Sequence, residues 1–355
     1  SYLKSRGLGD VYKRQAHGAS LPKTIASHTV DIWLFYACRA PGPHYNRGMW
    51  KRLATLIAAC AVVPAFAADD VFIEVLGIAQ DAGLPQANCY RPHCLEAWQD
   101  ADKRRLATSI AVIDRDARRK YLFDATPDMR EQLYTLHTIA PDDEYELGGV
   151  FLTHAHMGHY TGLMHFGREA AGTHGVPVYA MPRMHEFLAT NGPWDQLVRL
   201  QNIELQRIAD DEPVQLGQNL TVTPLLVPHR DEYSETVGYR IDGPNRSAVF
   251  IPDIDKWTLW EVDIRDVVRS VDYALVDATF FRDGELGGRD MSKIRHPFVS
   301  ESMDLFDSLD ANEKSRVIFI HMNHTTPLLQ EGSDAQAEVT RRGYRYAHEG
   351  MRLEL

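Results

Sequence analysis

The sequence predicts an α/β fold: an αββα sandwich, in which two mixed β-sheets are flanked by helices. Three observations carry this. Apolar, strand-like runs alternate with helical stretches from residue 71 onward. The second half of the chain repeats the grammar of the first. Several strands end in a histidine or an aspartate, which is how α/β folds gather a site along one edge of their sheets. The composition, 44% hydrophobic and 25% charged over 355 residues, is that of a globular protein. No low-complexity segment, long linker or short repeat divides it, so one domain over 68–355 is expected.

The first 67 residues read differently. Met49, Lys51 and Arg52 open a basic segment, an apolar run follows over 53–63, and Ala65-Phe66-Ala67 is a small-x-small site. This is the pattern of a bacterial secretory signal peptide cleaved after Ala67, with an apolar stretch too short to span a membrane. Cys60, after Ile57-Ala58-Ala59, offers a lipobox as the alternative. Residues 1–48 have no periodic pattern, and 10–15 resemble translated adapter sequence. They are read as lying upstream of the native protein. A periplasmic or secreted product is expected. Beyond residue 67 the chain keeps 29 basic against 47 acidic side chains, a net charge of −18. That balance disfavours nucleic acid and anionic membrane, and points to a small-molecule substrate. No feature specifies an oligomeric state.

Strands are expected at 71–76, 108–113, 121–123, 149–152 and 176–180. In the second half they are expected at 220–227, 236–241 paired with 248–251, 273–276 and 317–320. Helices are expected at 127–136, with Thr126 as N-cap, and at 182–200, 256–270, 298–309 and 333–342.

The chain is organised around Thr153-His154-Ala155-His156-Met157-Gly158-His159, which follows the strand at 149–152. Imidazoles left unpaired at the rim of a core cost about 1–3 kcal/mol each, and a divalent metal satisfies several together. His154, His156 and His229 form a candidate first position with a fourth place open, the catalytic rather than the structural zinc pattern. The second position would use His159 and His321, with Asp253 bridging. Cys89, His93 and Cys94 allow a disulfide, or part of a structural metal site one ligand short.

The Thr-His-x-His-x-x-His segment, followed by Thr161-Gly162-Leu163, resembles the metallo-β-lactamase fold superfamily, whose usual motif is His-x-His-x-Asp-His. The resemblance implies that the six positions His154, His156, His159, His229, Asp253 and His321 are ligands. Gly158 stands where that family has its aspartate. A mononuclear site or a weak second ion follows, and Gly158→Asp is expected to strengthen it. Asp81 is a candidate on the substrate side, or a substitute for the missing carboxylate if its loop folds over the histidines. The segments 77–86, 161–169, 227–238 and 321–327 more closely resemble the pyrroloquinoline quinone synthesis protein B group. The export signal and the three retained histidines depart from that group and suggest a paralogue.

The resemblance implies a hydrolase using zinc, one or two ions, with iron or manganese as other metals. Metal-activated water would attack an ester, amide, lactone or phosphodiester. Asp253 would orient the attacking oxygen, and His321 or His324 would assist the leaving group. Arg230 and Arg168 are candidates for holding an anionic substrate group. The rival expectations are an iron oxygenase and a non-catalytic metal-stabilised binding protein.

Overall fold

The computed structural model describes residues 71–355. The segment expected to be a signal peptide, 49–67, and the stretch before it lie outside the described residues. Among the described residues, no helix is long and apolar enough to cross a membrane.

The first sheet contains β1 (Val71–Gly77), β2 (Ser109–Asp114), β3 (Arg119–Phe123), β4 (Glu146–Phe151), β5 (Val176–Ala180) and β6 (Ile203–Arg207). The second contains β7 (Val214–Gln215), β8 (Thr221–Leu226), β9 (Val237–Asp242), β10 (Ser247–Ile251), β11 (Tyr273–Asp277), β12 (Val317–Ile320) and β13 (Arg345–Tyr346). The chain then returns as β14 (Arg352–Glu354) to close the first sheet, in the order β14-β1-β2-β3-β4-β5-β6. The second sheet runs β13-β12-β11-β10-β9-β8-β7. Both are mixed: β3 to β6 and β10 to β13 are parallel, and the remaining pairs are antiparallel.

β10 and β12 are buried almost throughout, because helices cover one face and the other sheet covers the opposite face. Between the sheets, Phe123 stacks on Phe151 at 5.0 Å and meets Tyr239 edge-on at 5.4 Å. The Tyr239 hydroxyl donates to the Leu152 carbonyl, tying the second sheet to the residue before the histidine segment. Helix-facing clusters around Met129, Leu163 and Leu188 on one side, and Val268, Met303 and Phe306 on the other, complete four layers. The αββα expectation holds.

The details differ where capping and proline decide. The helix expected from 127 starts at Met129, and the Thr126 hydroxyl accepts from the Asp128 amide instead of capping it. The 182–200 stretch is broken at Gly192-Pro193 into Pro182–Thr190 and Trp194–Arg199. The 256–270 stretch is a short 3-10 turn, Trp257–Leu259, then Ile264–Arg269 capped by Asp263. Short β6, β7, β13 and β14 were not expected, nor were the helices Pro92–Gln99 and Ala311–Arg316.

Candidate metal centre

Strand direction explains why distant residues meet. β3, β4 and, through two antiparallel steps, β1 all point the same way, so the loops after them leave one edge of the first sheet. The same logic puts the ends of β8, β10, β11 and β12 on one edge of the second. These loops carry Asp81, Asp124, the histidine segment, His229, Asp253, Asp277 and His321.

Asp253 is the hub. Its Oδ2 lies 3.2 Å from His229 Nε2, 3.4 Å from His154 Nε2 and 3.8 Å from His159 Nε2. His156 brings Nδ1 to within 2.8 Å of His154 Nε2 and 4.0 Å of Asp253, while its Nε2 faces Glu232 at 3.3 Å. Donor atoms of His154, His156, His229 and Asp253 all fall within 4.8 Å of one another, as do those of Asp81, His159 and His321. Asp253 also groups with Asp277 and His321, which ties the two clusters together.

Oxygens behind the rings fix their orientation. His159 Nδ1 is 2.7 Å from Asp124, His229 Nδ1 is 3.2 Å from Asp255, and His321 Nδ1 is 3.1 Å from the Thr279 hydroxyl. Each contact turns Nε2 inward, the usual supporting arrangement of metal-binding imidazoles. Asp124 also accepts from the backbone amide and hydroxyl of Thr153. Asp81, Asp124 and His321 all have positive φ, a conformation costing about 1–2 kcal/mol per residue that the surroundings must enforce.

The buried inward-facing atoms are orphans. His159 Nε2, His229 Nε2, His321 Nε2, Asp81 Oδ1 and Asp253 Oδ1 have no hydrogen-bond partner. Orphaned polar atoms converging from five residues, with anionic and imidazole donors mixed, fit a divalent cation. Burial and the neighbouring His159 hold His154 well below the ordinary histidine value, and burial lowers His156 and His321, so all three favour the neutral, ligating form. For His159, burial works downward, but Asp124 and Asp81 override it and push the ring up to about 10. Burial would raise Asp253, yet His229 and His296 hold it well below the carboxylate range.

Residues 119–322 match the family described as beta-lactamase superfamily domain. The chain belongs to the β-lactamase superfamily. Similar proteins include Coenzyme PQQ synthesis protein B of Xanthomonas campestris pv. campestris strain B100, 28% identical over 307 residues, covering 80% of this chain and 99% of the relative. The protein of the same name from Methylobacterium sp. strain 4-46 is 27% identical over 303 residues, covering 79% and 99%. Among solved structures, Zn(2+)-bound PqqB from Methylobacterium extorquens has a TM-score of 0.68 at 25% identity, covering 80% of this chain and 100% of that one. A diphosphatase from the PhnP family shares the fold, with a TM-score of 0.55 at 23% identity, covering 80% and 98%.

The superfamily's usual His-x-His-x-Asp-His motif has a carboxylate where this chain has Gly158, and here a carboxylate approaches the histidines from the loop after β1. Asp81 Oδ1 stands 3.5 Å from His159 Nε2 and within the same donor group as His321. Asp81 thus lies within one of the candidate donor groups. Its carboxyl is held well below the usual range: burial opposes this, and contact with His159 prevails.

Three other expectations are relocated. His324 is away from the centre, beside His93 with ring centroids 5.7 Å apart, in the group Cys89, His93, Cys94 and His324. Cys89 and Cys94 are joined as a disulfide, which takes up the thiolates that a structural metal would need. Arg168 is exposed and paired with Glu169 at 2.9 Å. Arg230 is also exposed, but acts electrostatically on His156 and Glu232 at the rim.

The sequence reading missed His296, whose Nδ1 lies 2.9 Å from Asp277 and 3.2 Å from Asp253 Oδ1. It also missed the supporting roles of Asp124, Asp255 and Asp277, and the ion pair of Arg295 with Asp255. A strand-terminal aspartate was the one available signal for Asp124 and Asp277.

Proposed function

We propose that this superfamily member is a metal-dependent hydrolase, with zinc as the ion and a small-molecule ester, amide, lactone or phosphodiester as substrate. The observation that carries this reading is the position of Asp253 between two donor clusters. His154, His156, His229 and Asp253 would hold one ion; Asp81, His159, His321 and Asp253 would hold a second. A divalent ion bound there would lower the pKa of a water toward about 7 and polarise a carbonyl or phosphoryl oxygen.

The chain's own residues supply the rest. His156 and Asp81 are the most exposed donors, with side chains 19% and 44% accessible, so substrate approaches on their side. His296 belongs to neither principal donor cluster. Burial opposes its protonation, but Asp277 and Asp253 raise it well above the ordinary value. With Nδ1 held beside Asp253, the ring is the candidate group to protonate a leaving group. Asp277, which also accepts from the Thr279 hydroxyl at 2.7 Å, positions His296. From the sequence at 49–67, we further propose that the mature protein is exported.

The test is to prepare the full chain without metal, reload it with zinc, and assay p-nitrophenyl acetate, a lactone, an anilide and bis(p-nitrophenyl) phosphate. Turnover of at least one substrate that disappears on chelation and returns with zinc is expected. A zinc-loaded protein that cleaves none of these bond types overturns the reading.

A further inference from the structure

Beside His229 lies a cavity of about 470 Å³, a size suited to a small organic ligand. It is walled by Leu226, Leu259 and Trp260, and the first two are strongly exposed for apolar residues, at 46% and 56%. Trp260 is held in place by donation from its indole N–H to the Leu226 carbonyl at 2.9 Å. One buried residue of the lining carries a polar atom with no hydrogen-bond partner, the Thr236 hydroxyl. His229 of the lining is also a donor of the metal cluster, so the cavity and the centre share a residue.

The charge of the lining is one-sided. Asp210, Asp231, Glu235 and Glu261 contribute to it, and no lysine or arginine does. Arg183 pairs with Asp231 at 3.1 Å. Asp210 accepts only from the Leu226 amide and Glu235 only from the Arg183 amide. Glu261 is exposed and has no ion-pair partner among the described residues. Three carboxylates thus surround an aromatic and aliphatic pocket without a balancing cation.

We infer that this cavity is the subsite for the non-reacting part of the substrate, and that it takes an apolar group bearing an organic ammonium. The Trp260 face and the aliphatic walls accept the apolar body. The uncompensated carboxylates attract the cation, which an indole ring also favours. The Thr236 hydroxyl gains its missing partner from a polar atom of the ligand. A phosphodiester would meet three like charges, so the inference narrows the substrate toward an ester or amide of an amine-bearing molecule. The role as a substrate subsite rests on the hydrolase reading; the charge preference of the cavity does not.

The test uses two probes of opposite charge that coordinate zinc poorly, benzyltrimethylammonium and phenylmethanesulfonate, titrated calorimetrically into the zinc-loaded full chain. The cation is expected to bind at least tenfold more tightly than the sulfonate. Glu261→Lys, a surface change outside the metal centre, is expected to lower cation affinity at least tenfold with zinc content unchanged. Equal binding of both probes, or cation binding indifferent to Glu261→Lys, overturns the inference. If the cation preference holds but no bond type is hydrolysed, the hydrolase reading fails and the cavity's specificity stands. If hydrolysis is found without the preference, the reverse is true.

Discussion

The Cβ that Gly158 lacks would lie 2.4 Å from the Cα of Asp81 and 2.6 Å from its Oδ1. Glycine at 158 and aspartate at 81 are therefore one arrangement. The histidine segment gives up its own carboxylate, and the space so freed admits the loop after β1, whose aspartate reaches His159 instead. Gly158 is not among the residues with positive φ, so the demand for glycine comes from this close approach rather than from backbone strain.

The consequence reverses what the motif alone suggests. Gly158→Asp should weaken the second metal position, because its side chain displaces Asp81 before it can replace it. Overpacking of this kind costs about 1–3 kcal/mol. The second equivalent of zinc should bind at least tenfold more weakly than in wild type, and the first should be unchanged. Metal titration of apo-protein by competition with a chromophoric chelator measures both; a tighter second equivalent would show that position 158 can host the carboxylate.

Asp124→Asn removes charge but keeps shape. Its carboxylate holds His159 at 2.7 Å and accepts two hydrogen bonds from Thr153. Loss of such a supporting carboxylate reduces metal affinity about 10–100-fold, and the weakened buried acceptor should lower stability by about 1–3 kcal/mol. Chelator competition and chemical denaturation test the two effects. Unchanged zinc affinity would mean that Asp124 serves the fold alone.

The histidine segment was legible because three rings crowd one strand end, a local pattern that burial makes costly without a ligand. His229, Asp253 and His321 were candidates chiefly through the family resemblance. The strand-then-polar-residue pattern of the second half agreed with it, and strands running the same way deliver such residues to a common edge. Asp81 was only half legible: its reach to His159 depends on the path of a loop and on the missing Cβ at 158. His296 left no periodic signal. It sits in the glycine-containing loop after β11, and that loop closes where Val299 donates to the Phe280 carbonyl at 2.9 Å, returning His296 to Asp277. Side-chain geometry of that kind is fixed by tertiary packing and has no counterpart in residue spacing. The displacement of His324 has the same origin, since three residues beyond His321 the chain has already turned toward Cys89 and Cys94.

Metal uptake should release a proton. Without metal, the His159 value of about 10 stands above its ordinary 6.5, so the stabilisation from its carboxylate contacts is full below pH 6.5. It is lost as pH rises through 10. Zinc requires the neutral ring, so binding between those limits must expel the proton. Calorimetry at pH 7.5 in two buffers of different ionisation enthalpy should show at least one proton released for the ion at the Asp81, His159 and His321 position. The metal-free protein should also lose thermal stability from pH 7 to 10, while the zinc-loaded form should not. Identical apparent enthalpies in both buffers would contradict the protonated state of His159.

His296→Gln should separate catalysis from metal binding. The ring sits between Asp277 and Asp253 yet outside the two principal donor clusters, so its removal leaves every candidate ligand of those clusters in place. Glutamine preserves a polar side chain of similar reach but cannot carry a transferable proton. If His296 protonates the leaving group, kcat should fall about 10²–10⁴-fold, the usual contribution of a positioned general acid. The loss should be smallest for substrates with good leaving groups such as p-nitrophenolate, which need little protonation, and largest for alkyl esters or amides. Zinc content should match wild type, whereas His156→Ala should lose both zinc and activity. A uniform loss across leaving groups, together with reduced zinc, would place His296 among the metal-holding residues instead.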